Sequence, residues 1–592
     1  MSLKSVSMIV KWNVDYWIFI ILLLLFVGRN LGFRFSIVHN NDIRGRYVSI
    51  KSPKETCPIG DDERGLCFGG MARVATAVAK ARAEGPTIYL NAGNTFQGTP
   101  WYTLYKGDLA AELLNIIEPD AVSFGNHEFD DNVKGLMPFL RNAKFPVVCT
   151  NMEFEKNPIL RNITNLAKSV IITKFEMKIG VVGYVTPMTV SEVAGLQVEI
   201  QNEIPAINAE VKKLIAKGVK IIIALGNSGY KMDQEIAENC MDVDIVVGGH
   251  SRTFLFTGSP PAKEIPEGNY PTVVTRSNGQ QVPVVQAYAF GKYLGKLDVE
   301  FDNGGYLIKY TGSPILLDDS IQHDIRVRSM LAGKRATIEK LEEKIVGTTK
   351  VLLNGDPSVC RERECNFGSF IADAFVYARV IENYGGVYWT DAAIGIMNAG
   401  GIRSSIDPGS DGSISEMDVM KALPFGNRVV VSRITGKDLL KALEYSATLR
   451  HTKKDGGFLQ VSGIRMVINY NQPKGRRITS INVLCSHCRI PEYLPLIKDR
   501  HYSVIVPNYL FNGGDGHKYF KDPTEPSFEE LELIDREILN KYYMEHKVVY
   551  PMLEGRITII NKKRRTSAAS TQTQCLLIPI VLITKYSIFF YW

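Results

Sequence analysis

Short apolar runs recur through the first half of the chain and alternate with stretches of helical spacing. They are Phe35 to Val38, Thr87 to Leu90, Lys178 to Val185, Lys220 to Leu225 and Val243 to Val247. Runs of roughly four to eight apolar residues bounded by turn formers read as buried strands. Strands alternating with helices predict an α/β domain over 33–317. Four of the five runs give way to Asn, Gly or His, and ligands in such sheets collect beyond the carboxyl ends of the strands, so the chemistry is expected there. From Asp318 to about Ile345 the pattern turns helical, with Ile338, Leu341 and Ile345 at 3-4 spacing, and 318–345 reads as a helical connector. A second mixed α/β domain is expected over 346–560, and no internal repeat is visible.

Length agrees with this division, since single cores rarely grow beyond roughly 250 to 300 residues and the chain has 592. With 45% hydrophobic and 22% charged residues, general disorder is excluded. The net charge of +7 is small and scattered, apart from Lys562 to Arg565, so nucleic acid is not an expected partner.

Lys4 and Lys11 precede an apolar run, Trp17 to Val27, which is too short to span about 30 Å of hydrocarbon. Residues 1–32 therefore read as a secretory signal peptide, the alternative being an uncleaved anchor. An oxidising compartment makes the nine cysteines legible, with close pairs Cys57 and Cys67, Cys360 and Cys365, and Cys485 and Cys488 expected as disulfides. Half of a zinc site at Cys485-x-x-Cys488 is the weaker reading, because the second close pair has the wrong spacing. Asn162-Ile163-Thr164 is a glycosylation acceptor by pattern. The tail 561–592 ends apolar after small residues, the layout of a lipid-anchor signal interrupted by Lys585; the alternative is a variable hydrophobic terminus.

Four strand-end motifs carry the first constellation: His39-Asn40-Asn41-Asp42, Gly125-Asn126-His127-Glu128-Phe129-Asp130, Leu225-Gly226-Asn227-Ser228-Gly229 and Gly248-Gly249-His250-Ser251. With Ala92-Gly93-Asn94 they resemble, in order and separation, the dimetal phosphoesterase domain of the 5'-nucleotidase/apyrase family. The resemblance implies an N-terminal metallophosphoesterase-type β-sandwich flanked by helices. It also implies two divalent metal ions that hold a terminal phosphate and activate water. The family's ligand positions fall on Asp42, Asn126 and His250, which are retained, and on Arg44, Asn94, Asn227 and Arg252, which are substituted. The family has histidine at the positions of Arg44 and Asn227, a bridging aspartate at that of Asn94 and asparagine at that of Arg252. A guanidinium about 4 Å from a dication repels it by roughly 8 kcal/mol at an effective dielectric of 20. No tightly bound metal cofactor is therefore expected. Arg44 and Arg252 read either as replacements for metal charge against a polyphosphate or as plain surface charges. His127 and Asp130 match the family's catalytic dyad, and without metals they read equally as vestigial packing residues.

The second constellation comprises Cys360-Arg361 to Asn366, Asn398 to Ser404, Leu423-Pro424-Phe425-Gly426 and Asn508-Tyr509 to Gly516. It resembles the same family's C-terminal α/β nucleotide-binding domain. The resemblance assigns phosphate contacts to Arg361 and Arg403, a nucleoside contact to Asn398, the base sandwich to Phe425 and Tyr509, and a ribose contact to Asp515. Tyr509 replaces the usual phenylalanine and retains a flat π-surface. Aromatic planes grip bases at about 1 to 3 kcal/mol each, and arginine forks suit phosphate. Taken singly, Phe425 could be core and Asn512 to Gly516 only a tight turn.

The expected function is that of a secreted, extracellular protein that binds adenine nucleotides with weak or no hydrolysis. It is most similar to salivary members of the family from blood-feeding arthropods, whose setting is inhibition of platelet aggregation. Two alternatives stay open: an active metal-dependent apyrase or 5'-nucleotidase, and a binder of platelet surface receptors on the same scaffold. Membrane association is expected only if the tail carries a lipid anchor.

Overall fold

The computed structural model describes residues 32–560 apart from 53–54, 175–176, 190–197, 383–387, 408, 450–455 and 522–527. The signal segment, Gly32 excepted, and the tail lie outside the described residues. The first half is a four-layer stack. A seven-stranded sheet centred on Phe33–Asn40 and Thr87–Asn91 faces a six-stranded sheet centred on Ile179–Val185 and Ile221–Asn227. Phe35 and Ile37 point into the space between the sheets and meet Val181, Ile223 and Leu225, whereas Val38 packs under the outer helices of its own sheet. That alternation is the period of two expected of a strand. Helices Met71–Glu84, Pro100–Ile117 and Asn132–Asn142 cover one sheet, and Glu203–Ala216 and Tyr230–Asn239 cover the other.

All five apolar runs become strands, and those in register with one another run parallel: Phe33–Asn40 with Thr87–Asn91, and Ile221–Asn227 with both Ile179–Val185 and Ile245–Val247. Parallel pairing puts their carboxyl ends on one edge. The connector differs at its start. Its helix is Ile325–Glu343, set by Asp324, whose side chain accepts from the N–H groups of Arg326 and Val327; residues 318–321 bend and turn instead, and at the other end Ile345 opens the strand Ile345–Thr349.

The second half is built on a five-stranded sheet around Ile394–Asn398 and His501–Pro507, with helices Asn366–Ile381, Gly436–Leu449 and Asp535–His546 packed around one core. Helix Glu416–Ala422 reaches back to the first half, where Met417 joins its core. Disulfides join Cys57 to Cys67, Cys360 to Cys365 and Cys485 to Cys488, the pairings expected from spacing. Among the described residues no helix is long and apolar enough to cross a membrane.

Candidate functional site

The parallel strand ends open onto a cavity of about 710 Å³ whose opposite wall is the second half of the chain. Every residue predicted for the site lines it, from Asp42, Asn126, His127, Asp130 and His250 on one side to Arg361, Asn398, Arg403, Phe425, Tyr509 and Asp515 on the other, with one exception. Asn227 lies a layer behind the surface, bonded to Asn94.

The strand-end turns are tight. Asp42, Arg44, Asn94, His250 and Arg252 all adopt positive φ, between 52° and 74°. Such backbones cost about 1 to 3 kcal/mol each and persist only where the surroundings over-determine them. Here the turns brace one another: Asp42 N–H donates to Gly93 O at 3.0 Å and Arg44 N–H to Asn94 O at 2.9 Å. Glu128, missed by the reading of the sequence, ties two turns together. Its carboxylate accepts from the backbone N–H groups of Gly125, Asn94, Thr95 and Phe96. Gly125 must be bare, since a Cβ there would lie 2.3 Å from Asn94 Oδ1.

A closed hydrogen-bond network occupies the centre of the strand-end wall. Asn94 Nδ2 donates to Asp42 Oδ1 at 2.9 Å and to Asn227 Oδ1 at 2.8 Å, while Asn94 Oδ1 accepts the His127 N–H at 3.0 Å. The orientation of the amide is forced, because a backbone N–H can only donate and a carboxylate only accept. Asn227 is fixed in turn by donating to Ala92 O at 2.7 Å. Asp42 Oδ2 accepts from Asn41 Nδ2 at 2.9 Å and from His250 N–H at 2.8 Å.

This donor set does not suit a pair of dications. At the bridging position the side chain turns protons rather than lone pairs toward Asp42 and Asn227, and its oxygen accepts from His127. Arg44 and Arg252 have no lone pair to offer a metal. Among the described residues, the group of three acidic, His or Cys side chains close enough to share an ion is Cys57, Asp62 and Cys67, and two of those form a disulfide.

His127 Nδ1 and Asp130 Oδ2 stand 2.8 Å apart. Burial pushes the Asp130 carboxyl up to about 7, against the opposing pull of Arg44, Arg403 and Lys106. On the opposite wall Asp515 is held from both sides, Oδ1 accepting from Tyr509 OH at 2.9 Å and Oδ2 from Asn398 Nδ2 at 2.9 Å. The Tyr509 ring lies where a Cβ on Gly514 would come within 2.4 Å of it, which keeps position 514 a glycine. Arg403 stacks over Phe425 at 5.7 Å. The Arg361 loop is stapled by Cys360–Cys365 and clamped by buried Gln460, which donates to Cys360 O and Arg363 O at 2.8 Å each and accepts Cys365 N–H at 3.0 Å. Nothing local in the sequence marks Gln460 as part of the site.

The fold and this cleft define a two-domain protein of the metallophosphoesterase type, with a strand-end wall facing a wall from the second domain. Residues 35–252 match the calcineurin-like phosphoesterase family and residues 345–522 the 5'-nucleotidase C-terminal domain. The chain belongs to the 5'-nucleotidase family. It is 43% identical over 532 residues to Protein 5NUC of Lutzomyia longipalpis, covering 88% of this chain and 92% of that one. It is 41% identical over 528 residues to the 5'-nucleotidase of Mus musculus, covering 88% and 90%. Among solved structures, a 5'-nucleotidase precursor from Thermus thermophilus superposes with a TM-score of 0.71 at 32% identity, over 90% of this chain and all of that one.

Proposed function

We propose that this chain is a secreted family member that binds adenine nucleotides and hydrolyses them weakly or not at all. The observation that carries the reading is the Asn94 amide, bonded to Asp42 and Asn227 where a metal-bridging carboxylate would stand. Second-sphere changes alone commonly cost 10 to 100-fold in metal affinity or activity, and here the ligand positions themselves are altered. What supports binding is the second wall: Phe425 and Tyr509 line the cleft and offer rings for a base, Asp515 lines it beside them and would meet the ribose, and Asn398 Oδ1 is buried without a partner among the described residues. In this reading the sequestered nucleotide includes extracellular ADP, and its removal inhibits platelet aggregation.

The test is titration calorimetry and phosphate release on one metal-defined sample, with calcium, magnesium, zinc and manganese added in turn. Binding without turnover is the expected result. Robust turnover with any of these ions would mean an active apyrase or 5'-nucleotidase. Inhibition of aggregation triggered by agonists other than nucleotides would point to platelet-receptor binding.

A further inference from the structure

Arginines converge on this cleft from both halves of the chain. Arg44 and Arg252 project from the strand-end turns, and Arg361 and Arg403 come from the opposite wall. Arg46 stands behind them, its Nη1 donating to Arg44 O at 2.7 Å and Gly98 O at 2.9 Å, and its guanidinium stacks over Phe290 at 4.7 Å. Arg252 shares that ring at 5.9 Å. Arg46 therefore buttresses the wall while Arg44 and Arg252 face the cavity.

None of the ion pairs among the described residues uses Arg44, Arg252 or Arg403, although the protein pairs most of its buried arginines, as Arg73, Arg379 and Arg556 show. The Arg44 side chain makes no hydrogen bond to the described residues. Burial, then Arg403 opposite and more weakly Arg252 beside it, pulls Arg44 down to about 9 against the opposing pull of Asp130 and Asp42, so the group stays charged at neutral pH. With no carboxylate within ion-pair reach of Arg44, Arg252 or Arg403 among the described residues, an anion lodged among these guanidiniums relieves their mutual repulsion.

We propose that Arg44 and Arg252, with Arg403 opposite, form a seat for the phosphates of a nucleoside di- or triphosphate in its metal-free form, so that divalent cations weaken binding instead of supporting it. This rests on the reading of the cleft as a nucleotide site and adds which ionic form it takes. Replacing two dications and a bridging carboxylate by two guanidiniums and an amide keeps the wall cationic but changes what it can grip. A guanidinium donates hydrogen bonds directly to phosphate oxygens in a planar fork. A magnesium ion on the same oxygens neutralises two of their charges and takes up lone pairs that the guanidiniums would otherwise bond. Cations on two walls also favour a ligand whose charge extends along a phosphate chain over one with a single phosphate.

The experiment is calorimetric titration of the full chain with adenosine, AMP, ADP and ATP, first in EDTA and then with increasing magnesium chloride at constant ionic strength. Affinity in EDTA is expected to rise along the series, with ADP bound about ten-fold or more tightly than adenosine, as one charge-assisted contact is enough to provide. Magnesium in excess should return ADP toward the adenosine value. In Arg44→Ala and Arg252→Ala the ratio of ADP to adenosine affinity should collapse toward one, with Arg252→Lys in between. Because Arg252 is exposed, its replacement does not threaten folding. Adenosine and ADP binding equally, magnesium tightening ADP, or an unchanged ratio in Arg252→Ala would each overturn the proposal while leaving nucleotide binding intact. Failure of every nucleotide to bind would overturn both readings together.

Discussion

Asn94 Nδ2 lies 2.9 Å from Asp42 Oδ1 and donates a hydrogen bond to it. The same amide donates to Asn227 at 2.8 Å and accepts from the His127 backbone at 3.0 Å, so all three of its bonds are made within the protein. Changing Asn94→Asp would remove both donated bonds and set a second negative charge beside Asp42. In EDTA this variant is expected to lose about 2 kcal/mol or more, seen as a lower thermal midpoint that manganese partly restores. An unchanged midpoint would show that the amide network contributes little.

Restoring the family's ligand types together, as Arg44→His, Asn94→Asp, Asn227→His and Arg252→Asn, should create phosphate release that depends on added divalent metal. The parent chain, assayed beside it, should show little or none. If the parent proves as active as the restored chain, these four positions do not govern hydrolysis.

The nucleotide wall should respond in a graded way. Phe425→Ala is expected to cost about 1 to 3 kcal/mol of adenosine affinity through lost stacking. Tyr509→Phe keeps the ring but removes the hydroxyl that donates to Asp515, so its effect should be near 1 kcal/mol. Calorimetry on both variants separates the plane from the clamp.

Gln460 touches no ligand, yet it bonds three backbone groups of the Arg361 loop. Gln460→Met conserves volume and strands those groups in the interior, at about 1 to 3 kcal/mol for a buried group left unsatisfied. A lower thermal midpoint is expected, together with ADP affinity falling more than adenosine affinity. Equal losses for both ligands would show that the loop does not position Arg361.

Asp130 gives a pH signature. Its carboxyl sits at about 7 in the fold against an ordinary 3.8. Between those values the folded chain keeps a proton that the unfolded chain has released, so this contribution to stability is full below about 4 and is lost as pH rises toward 7. Asp130→Asn should therefore gain on the parent progressively across that window in thermal midpoints recorded from acid to neutral pH. A constant difference between the two would refute the shift.

Much of this was legible from the sequence because it is local. Asp42, Asn126, His127 and His250 sit at strand ends whose apolar runs announce them, and Phe425, Tyr509 and Asp515 stand in short motifs. What escaped reading is contact through space. Glu128 is one letter of a motif, but its role comes from four N–H groups on two separate turns. Gln460 is an ordinary strand residue until the fold brings the Arg361 loop onto it. The departures from the family's ligand types at Arg44, Asn94, Asn227 and Arg252 could be counted along the chain, whereas the hydrogen bond joining Asn94 to Asn227 could not. The start of the connector helix was placed too early because Asp324, not the apolar spacing, sets it.

The cleft has one wall from each half of the chain, and Met417 anchors the second half in the core of the first. A molecule lodged between the walls has no exit through either, only along their seam. For a nucleotide held as proposed above, both entry and release follow that seam.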